Sequence, residues 1–412
     1  MNDRVGYYCW AGPDTIRMTN LKFFNPKIDI GSLMKSYDYE YLAKVKEIFN
    51  ITDFWASYSW GFSEKSEQEQ YDFLLSKLDN FKKLGIKLHA YIQGTNLVYE
   101  DYKDKDWFCK DEKGRLVSYY RGRKVVCLNN PEFKNYLIQK IQKTYNLGFD
   151  GIFIDNIQMG QIPIPSYSSN QLFTFAGCKC SVCINKFYND YSKEIPDVIE
   201  DLNTSEYLKF RVKSTNQFIS EISEIVHKGK MEFGTNSFDP KFNSKEMFGT
   251  DIKFLEKNQD YILFENHSLP NERGQNNEYV DKFIEFNAIQ KPVFVLSYKK
   301  GIGHDSEFNQ QDFNNIYTED KRFKFFSCIK GSEYFTHNIW HNLYLNKLSK
   351  PSFNYHLKLG YFEFKDTWEK NLIKIPFLKS LLRKYYNPIY TMRMENNSFR
   401  KLLYFFEQLL LK

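Results

Sequence analysis

Three groups of side chains in this sequence have the type and spacing to do chemistry. In "GFDGIFIDNIQMG" (148–160) an apolar run ends on Asp155, followed by Asn156. In "DYILFENH" (260–267) a similar run ends on Glu265, two residues before His267. In "GCKCSVC" (177–183) three thiols, Cys178, Cys180 and Cys183, fall within six residues. Two carboxylates are what cleavage of a glycosidic bond requires, one to protonate the leaving oxygen and one to act as nucleophile or to activate water. Their surroundings must push the proton affinities apart. Asn156 and Asn236 are placed to keep Asp155 ionised, and Glu265, beside Phe264 and near the first anion, is the group to carry a proton. The same Asp-Asn pair is also an ordinary turn initiator, and that reading stands beside the catalytic one. Asp150, Asp239 and Glu333 are reserve carboxylates.

Three closely spaced thiolates grip one tetrahedral Zn²⁺ when a fourth ligand arrives from elsewhere. Cys109 is the first choice for that ligand and Cys127 the second. Against this stands a metal-free plug of small apolar thiols, and the spacing matches neither common iron–sulfur pattern. The seven cysteines are odd in number and crowded, which speaks against a disulfide framework and for a reducing, cytoplasmic setting.

The elements that must position these groups alternate along the chain. Short β-rich runs at 4–10, 51–58, 86–94, 149–156, 231–238, 260–267, 292–298 and 331–338 are separated by stretches whose apolar residues recur every three or four positions, the pattern of helices with one buried stripe. Pro131 suits a first helical turn, and Gly85 and Gly148 suit helix ends. Eight such units predict an α/β fold, a (β/α)₈ TIM barrel, with long loops after strands three (95–130) and four (158–203) and a C-terminal helical extension. A doubly wound sheet is the rival, but "CWAGPDT" after the first strand is not a Gly-rich phosphate loop, and nothing calls for an organic cofactor. Residues 1–385 read as the barrel, with the cysteines inside the 158–203 excursion, and 386–412 as a helical tail.

A barrel brings its strand ends to one mouth. The set there is Tyr8, Trp10, Tyr58, Trp60, Tyr91, Gln93, Asn156, Asn236, His267, Tyr298, Glu333 and His337, rings to stack on sugars beside groups to hydrogen-bond their hydroxyls. His89, within strand three, reads as an interior histidine. With 42% hydrophobic and 26% charged residues the 412-residue chain can bury a large core, and its net charge of +6 is dispersed, so a carbohydrate partner is expected and a nucleic acid is not. The opening residues lack a basic-then-apolar leader and no run of about 18 apolar residues occurs. The tail "NNSFRKLLYFFEQLLLK" reads as a helix packed on the barrel wall, or as an interfacial helix making peripheral membrane contact.

"GFDGIFIDN" resembles the fourth-strand signature of retaining TIM-barrel glycoside hydrolases of the α-amylase, α-galactosidase and α-fucosidase kind, including hypothetical glycosyl hydrolase barrels. The preceding "DWFCKDEKGRLVSYYRGRKVVCLNNPEF" is similar to them in layout. The resemblance implies that Asp155 is the nucleophile and, by position on the sixth strand, that Glu265 is the acid. "GCKCSVCINKFYNDY" resembles the zinc-binding excursion of certain barrel β-galactosidases and implies a structural zinc. A barrel that binds glycan without cleaving it is the alternative.

Overall fold

The computed structural model describes residues 4–9, 37–111, 113–120, 123–160, 177–196, 206–237, 245, 248–266, 290–297 and 323–325. Within these the chain builds an eight-stranded parallel sheet in sequential order: β1 (Gly6–Cys9), β2 (Asp53–Ser59), β3 (Lys87–Gln93), β7 (Gly151–Asp155), β8 (Glu232–Ser237), β9 (Ile262–Asn266), β10 (Val293–Ser297) and β11 (Phe323–Phe325). Helices α1 (Tyr39–Phe49), α2 (Glu64–Leu75), α3 (Leu78–Leu84), α5 (Pro131–Leu147), α7 (Glu206–Lys228) and α8 (Ile252–Asn258) connect successive strands, which is the (β/α)₈ architecture. Gly85 and Gly148 end α3 and α5 in the left-handed conformation (φ 60° and 85°), and the Asn130 side chain accepts from Phe133 N–H ahead of Pro131, as the sequence predicts. Strand eight differs from expectation: it pairs with β10 at Phe323–Phe325, eight residues before the predicted run at 331–338. That run, with Glu333 and His337, lies outside the described residues, as do Trp10, Asp239, His267, Tyr298 and the 386–412 tail. No described helix is long and apolar enough to cross a membrane.

Side chains alternate between two layers, as a closed sheet demands. Phe54, Ala56, Leu88, Ala90, Ile152, Ile154 and Phe233 point outward and pack under the helices. Trp55, Tyr91, Phe153, Leu263 and Phe294 form a separate interior cluster, to which Tyr261 adds its ring from just before β9. The sheet is rolled, because a Cβ on Gly6 of the first strand would lie 2.2 Å from Trp55 and 3.1 Å from Phe294 of the seventh. Gly151 leaves room for the His89 ring, and Gly234 for Tyr261, where any Cβ would approach to 2.2 Å.

At the N-terminal ends of the strands the interior is charged. Arg4 donates to Asp53 and, at 2.6 Å, to Glu232; Lys87 reaches Glu232 at 2.5 Å; and His89 Nε2 lies 2.9 Å from Asp53. His89 is thus an interior residue, stacked on Trp55 at 5.0 Å. Asp53, His89 and Glu232 are close enough together to suggest a metal site, but the Arg4 guanidinium already neutralises both carboxylates.

The loop after β3 folds as an antiparallel sheet of β4 (Asn96–Val98), β5 (Ser118–Tyr120) and β6 (Arg123–Val125), with the single turn α4 (Tyr99–Tyr102) following β4. The excursion after β7 returns as α6 (Ser181–Tyr191). Its two ends touch: a Cβ on Gly160 (φ 75°) would fall 2.0 Å from the carbonyl oxygen of Gly177, so the chain leaves and re-enters through one narrow neck.

Burial alone would raise the Asp53 carboxyl, but its hydrogen bonds to His89 and Arg4 prevail and hold it well below the usual carboxylate range. A folded value below the unfolded one, about 3.9, gives stability that is present above that pH and lost as pH falls toward the folded value. Asp53→Asn is therefore expected to lower the urea midpoint at pH 7, with the gap from wild type closing below about pH 4; a gap constant from pH 7 to pH 3 would contradict the network.

Candidate active site and thiol centre

Asp155 is the last residue of β7, two positions beyond Phe153 on the interior face, and is 4% exposed. The parallel register sets Gln93 of β3 directly opposite it, and pairing of Ile154 with Thr235 brings Asn236 of β8 to its other side. Four donors meet its two oxygens. Oδ1 accepts from the backbone N–H of Asn156 and from Asn236 Nδ2, both at 2.7 Å. Oδ2 accepts from Tyr91 Oη at 2.5 Å and Asn156 Nδ2 at 2.7 Å. These donors supply hydrogen bonds only an ionised carboxylate can fully accept. Asn156 is left-handed (φ 54°), which folds its N–H back onto Asp155, and its own side-chain oxygen accepts from Tyr119 Oη at 2.8 Å.

The predicted residues sort as follows. Asp155, Asn156, Asn236, Tyr91 and Gln93 come together. Trp60 joins them through its ring, 4.7 Å from that of Tyr91. Tyr8 lies two residues beyond Gly6 on the first strand and pairs with Trp55. Glu265 pairs with Leu296 and stands two residues beyond Leu263, which pairs with Asn236, so by register it is about 6.6 Å further toward the mouth than that level. Tyr58 departs from expectation: it packs outward against Phe149 at 5.6 Å, because strand alternation puts it on the same face as Phe54 and Ala56. Asp150 is at the opposite end of β7, where it accepts from Leu88 N–H. Sequence reasoning missed Tyr119 and Thr95, which bind Asn156 from the loop after β3. Neither carries a local signal, since each acts through a tertiary contact.

Trp60 is held by a buried ion pair. Glu67 Oε1 accepts from Trp60 N–H (2.8 Å), Phe62 N–H (3.0 Å) and Ser59 Oγ (2.9 Å), and Lys140 Nζ lies 2.7 Å from Oε2. Burial works against the Lys140 charge, but the Glu67 carboxylate beside it prevails and raises the ammonium above its ordinary range.

The thiols form a second centre. Cys127, Cys178, Cys180 and Cys183 are buried with their sulfurs mutually within 4.8 Å, Cys127 lying 3.3 Å from Cys183 and 3.5 Å from Cys180. The edge of a tetrahedral zinc–thiolate site is about 3.8 Å, so four sulfurs at these spacings fit one ion, and all are free of disulfides. Asn129 Nδ2 and the Cys180 N–H each point at a sulfur at 3.4 Å. The fourth member is thus Cys127, not Cys109, which was the first choice from sequence. Cys109 is buried beside the group, where desolvation pushes its thiol up, while its hydrogen bond to Cys127 draws that thiol down to about 6.

A groove of about 720 Å³ on the outer wall is lined by Lys209, Lys213, Glu221, Lys245 and Phe254 among others, and by none of the residues around Asp155. The carboxylate chemistry is not there.

The profile of hypothetical glycosyl hydrolase family 15 matches residues 85–313, more than half of the 412-residue chain. Among solved structures, a β-galactosidase from the psychrophilic Marinomonas ef1 is similar at 11% identity and TM-score 0.53, covering 79% of this chain and 54% of that one. A cold-adapted β-galactosidase from Rahnella sp. R3 is similar at 11% identity and TM-score 0.52, covering 79% and 50%. This chain spans about half the length of those two proteins, and likeness at such identity is a likeness of fold. Among curated protein sequences none matches it.

Lys140→Met leaves Glu67 buried without its cation and should cost about 3–5 kcal/mol in chemical unfolding. The Glu67→Leu/Lys140→Met pair should recover only part, because the Trp60 and Phe62 N–H groups lose their acceptor. Full recovery would show that Glu67 does not hold this loop.

Proposed function

This chain belongs to hypothetical glycosyl hydrolase family 15, and on that premise we propose that it cleaves a glycosidic bond in an oligo- or polysaccharide, with Asp155 as nucleophile and Glu265 as acid/base. One observation carries the reading: side chains from the two flanking strands, Tyr91 of β3 and Asn236 of β8, converge with Asn156 on the Asp155 carboxylate. A turn-forming aspartate needs only the N–H groups of its own loop. Donors from flanking strands are superfluous to a turn and serve to keep a buried anion charged and aimed.

In the proposed course Asp155 attacks the anomeric carbon as Glu265 gives its proton to the departing oxygen, forming a glycosyl ester on Asp155. Glu265 then takes a proton from the water that breaks that ester, so the anomeric configuration is retained. Trp60 and Tyr91 supply the aromatic wall. Tyr8 and Asn156, with Trp10, His267, Tyr298 and Glu333 from outside the described residues, complete the proposed binding set. A second reading has one observation in its favour, that four donors already occupy the lone pairs of Asp155. It makes the barrel a glycan-binding protein whose affinity survives loss of that charge.

The thiol centre is proposed to hold a structural Zn²⁺ through Cys127, Cys178, Cys180 and Cys183, tying the loop after β3 to the excursion after β7. With four protein ligands the site is closed and takes no part in the chemistry.

Asp155→Asn and Glu265→Gln should each lower glycan hydrolysis, read as reducing ends released across a polysaccharide panel, by about 10²-fold or more with the melting temperature kept. Turnover at the wild-type rate by both variants would refute the assignment, and undiminished glycan binding without wild-type turnover would favour the second reading. For the metal, one zinc per chain by elemental analysis is expected, lost in Cys127→Ser and kept in Cys109→Ser; the reverse pattern would restore Cys109 as the ligand.

A further inference from the structure

Two amides beside Asp155 have polar atoms that nothing among the described residues answers. Gln93 and Asn236 are each 2% exposed, and Gln93 Nε2 and Asn236 Oδ1 make no hydrogen bond. The identity of these atoms follows from their neighbours. Asp155 only accepts, so the Asn236 atom 2.7 Å away must be its NH₂, and Oδ1 is left over. Gln93 Oε1 is placed 3.0 Å from Tyr91 Oη, which is itself 2.5 Å from Asp155 Oδ2. The phenol has one proton, and the charged, closer carboxylate takes it. Gln93 Oε1 would then face the lone pairs of the Tyr91 oxygen. Turning the amide end for end lets Nε2 donate to that oxygen and leaves Oε1 as the unanswered atom.

We infer that Gln93 and Asn236 are specificity-determining residues that present free carbonyl oxygens on either side of Asp155 and so select a sugar ring with a hydrogen-bond donor, hydroxyl or ammonium, on the carbon next to the anomeric carbon. This rests on Asp155 being the nucleophile. Register supports the placement, since Gln93 pairs with Asp155 on one flank and Asn236 follows the Ile154–Thr235 pair on the other. A carbonyl buried without a donor is costly, and a donor brought by substrate removes that cost. A ring with hydrogen at that carbon leaves the carbonyl unanswered and is discriminated against.

The test uses the full chain and 2,4-dinitrophenyl glycosides carrying hydroxyl, ammonium or hydrogen at that carbon, in the gluco and galacto series, with wild type, Gln93→Met, Asn236→Ala and Asp155→Asn. The quantity read is the ratio of kcat/KM for the hydroxyl or ammonium substrate to that for the deoxy substrate. Intrinsic reactivity cancels when this ratio is compared between proteins. The ratio should fall about tenfold in at least one amide variant relative to wild type. A fall in the ammonium ratio identifies an amino sugar, and a fall in the hydroxyl ratio a neutral one. Ratios unchanged in both variants, with all substrates slowed alike, would overturn the inference and make the amides structural. Should Asn236→Ala fail to fold, the near-isosteric Gln93→Met decides. Wild type silent on the whole panel, or Asp155→Asn as active as wild type, would instead remove the nucleophile assignment beneath it.

Discussion

A carboxylate buried to 4% exposure stays ionised only if the protein returns the hydrogen bonds that water would have made. For Asp155 that requirement governs much of the upper barrel. Its donors sit on β3, on β8 and on the residue after β7, so three strands must hold one register. A slip of one residue on any of them would send the donor to the helix side of the sheet. The pairing is carried past the strands proper, with Gly94 N–H on Asp155 O and Thr95 N–H on Asn156 O. The left-handed Asn156, a conformation asparagine tolerates better than most residues, is part of the same solution.

The interior is graded along the barrel axis. At its base, charges cancel one another within a few ångströms, through Arg4, Asp53, Glu232 and Lys87. In its middle, Trp55, Tyr261 and Phe294 pack edge to face at 4.8–5.6 Å and leave no polar demand except the Trp55 N–H, which Tyr261 takes at 3.0 Å. At the top, Gln93 and Asn236 each keep a buried polar atom without a partner among the described residues. This is the division expected of the fold, stability at one end and chemistry at the other. The two thiol-bearing loops reinforce it from outside, since the Lys179 N–H on Lys110 O joins them where the sulfurs meet.

Much of this could be read from the chain alone, where the physics is local. Short apolar runs rich in β-forming residues marked seven strands to within about two residues, because parallel strands covered on both faces carry apolar side chains at successive positions. Helix ends at Gly85 and Gly148 were equally legible. The eighth strand was not, since "FKF" is too short to show a period and "GSEYFTHN" offers a longer apolar run. Asp155, Asn156 and Asn236 were legible as strand ends, whereas Tyr119 was not, because nothing within "VSYYRG" distinguishes a ring that reaches across to another strand. The same limit explains Cys127. Cys109 and Cys127 both lie in the loop after β3, and only folding decides which sulfur faces the other three. Tyr58 was misjudged because it was grouped with the mouth by its place at the strand end, whereas alternation puts it on the helix side with Phe54 and Ala56.

The neck formed by Gly160 and Gly177 makes the intervening segment a cassette. Its two ends are fixed at one point by contact between backbones, and Gln158 Nε2 donating to Gly160 O and the Cys178 N–H donating to Tyr207 Oη anchor the stem on either side. What lies between can lengthen or shorten while the strand bearing Asp155 and the thiol helix keep their positions. Closing a longer loop costs only about 0.6 kcal/mol per doubling of its length. The barrel therefore carries a port at which the number of residues between Gly160 and Gly177 can change without renegotiating the fold.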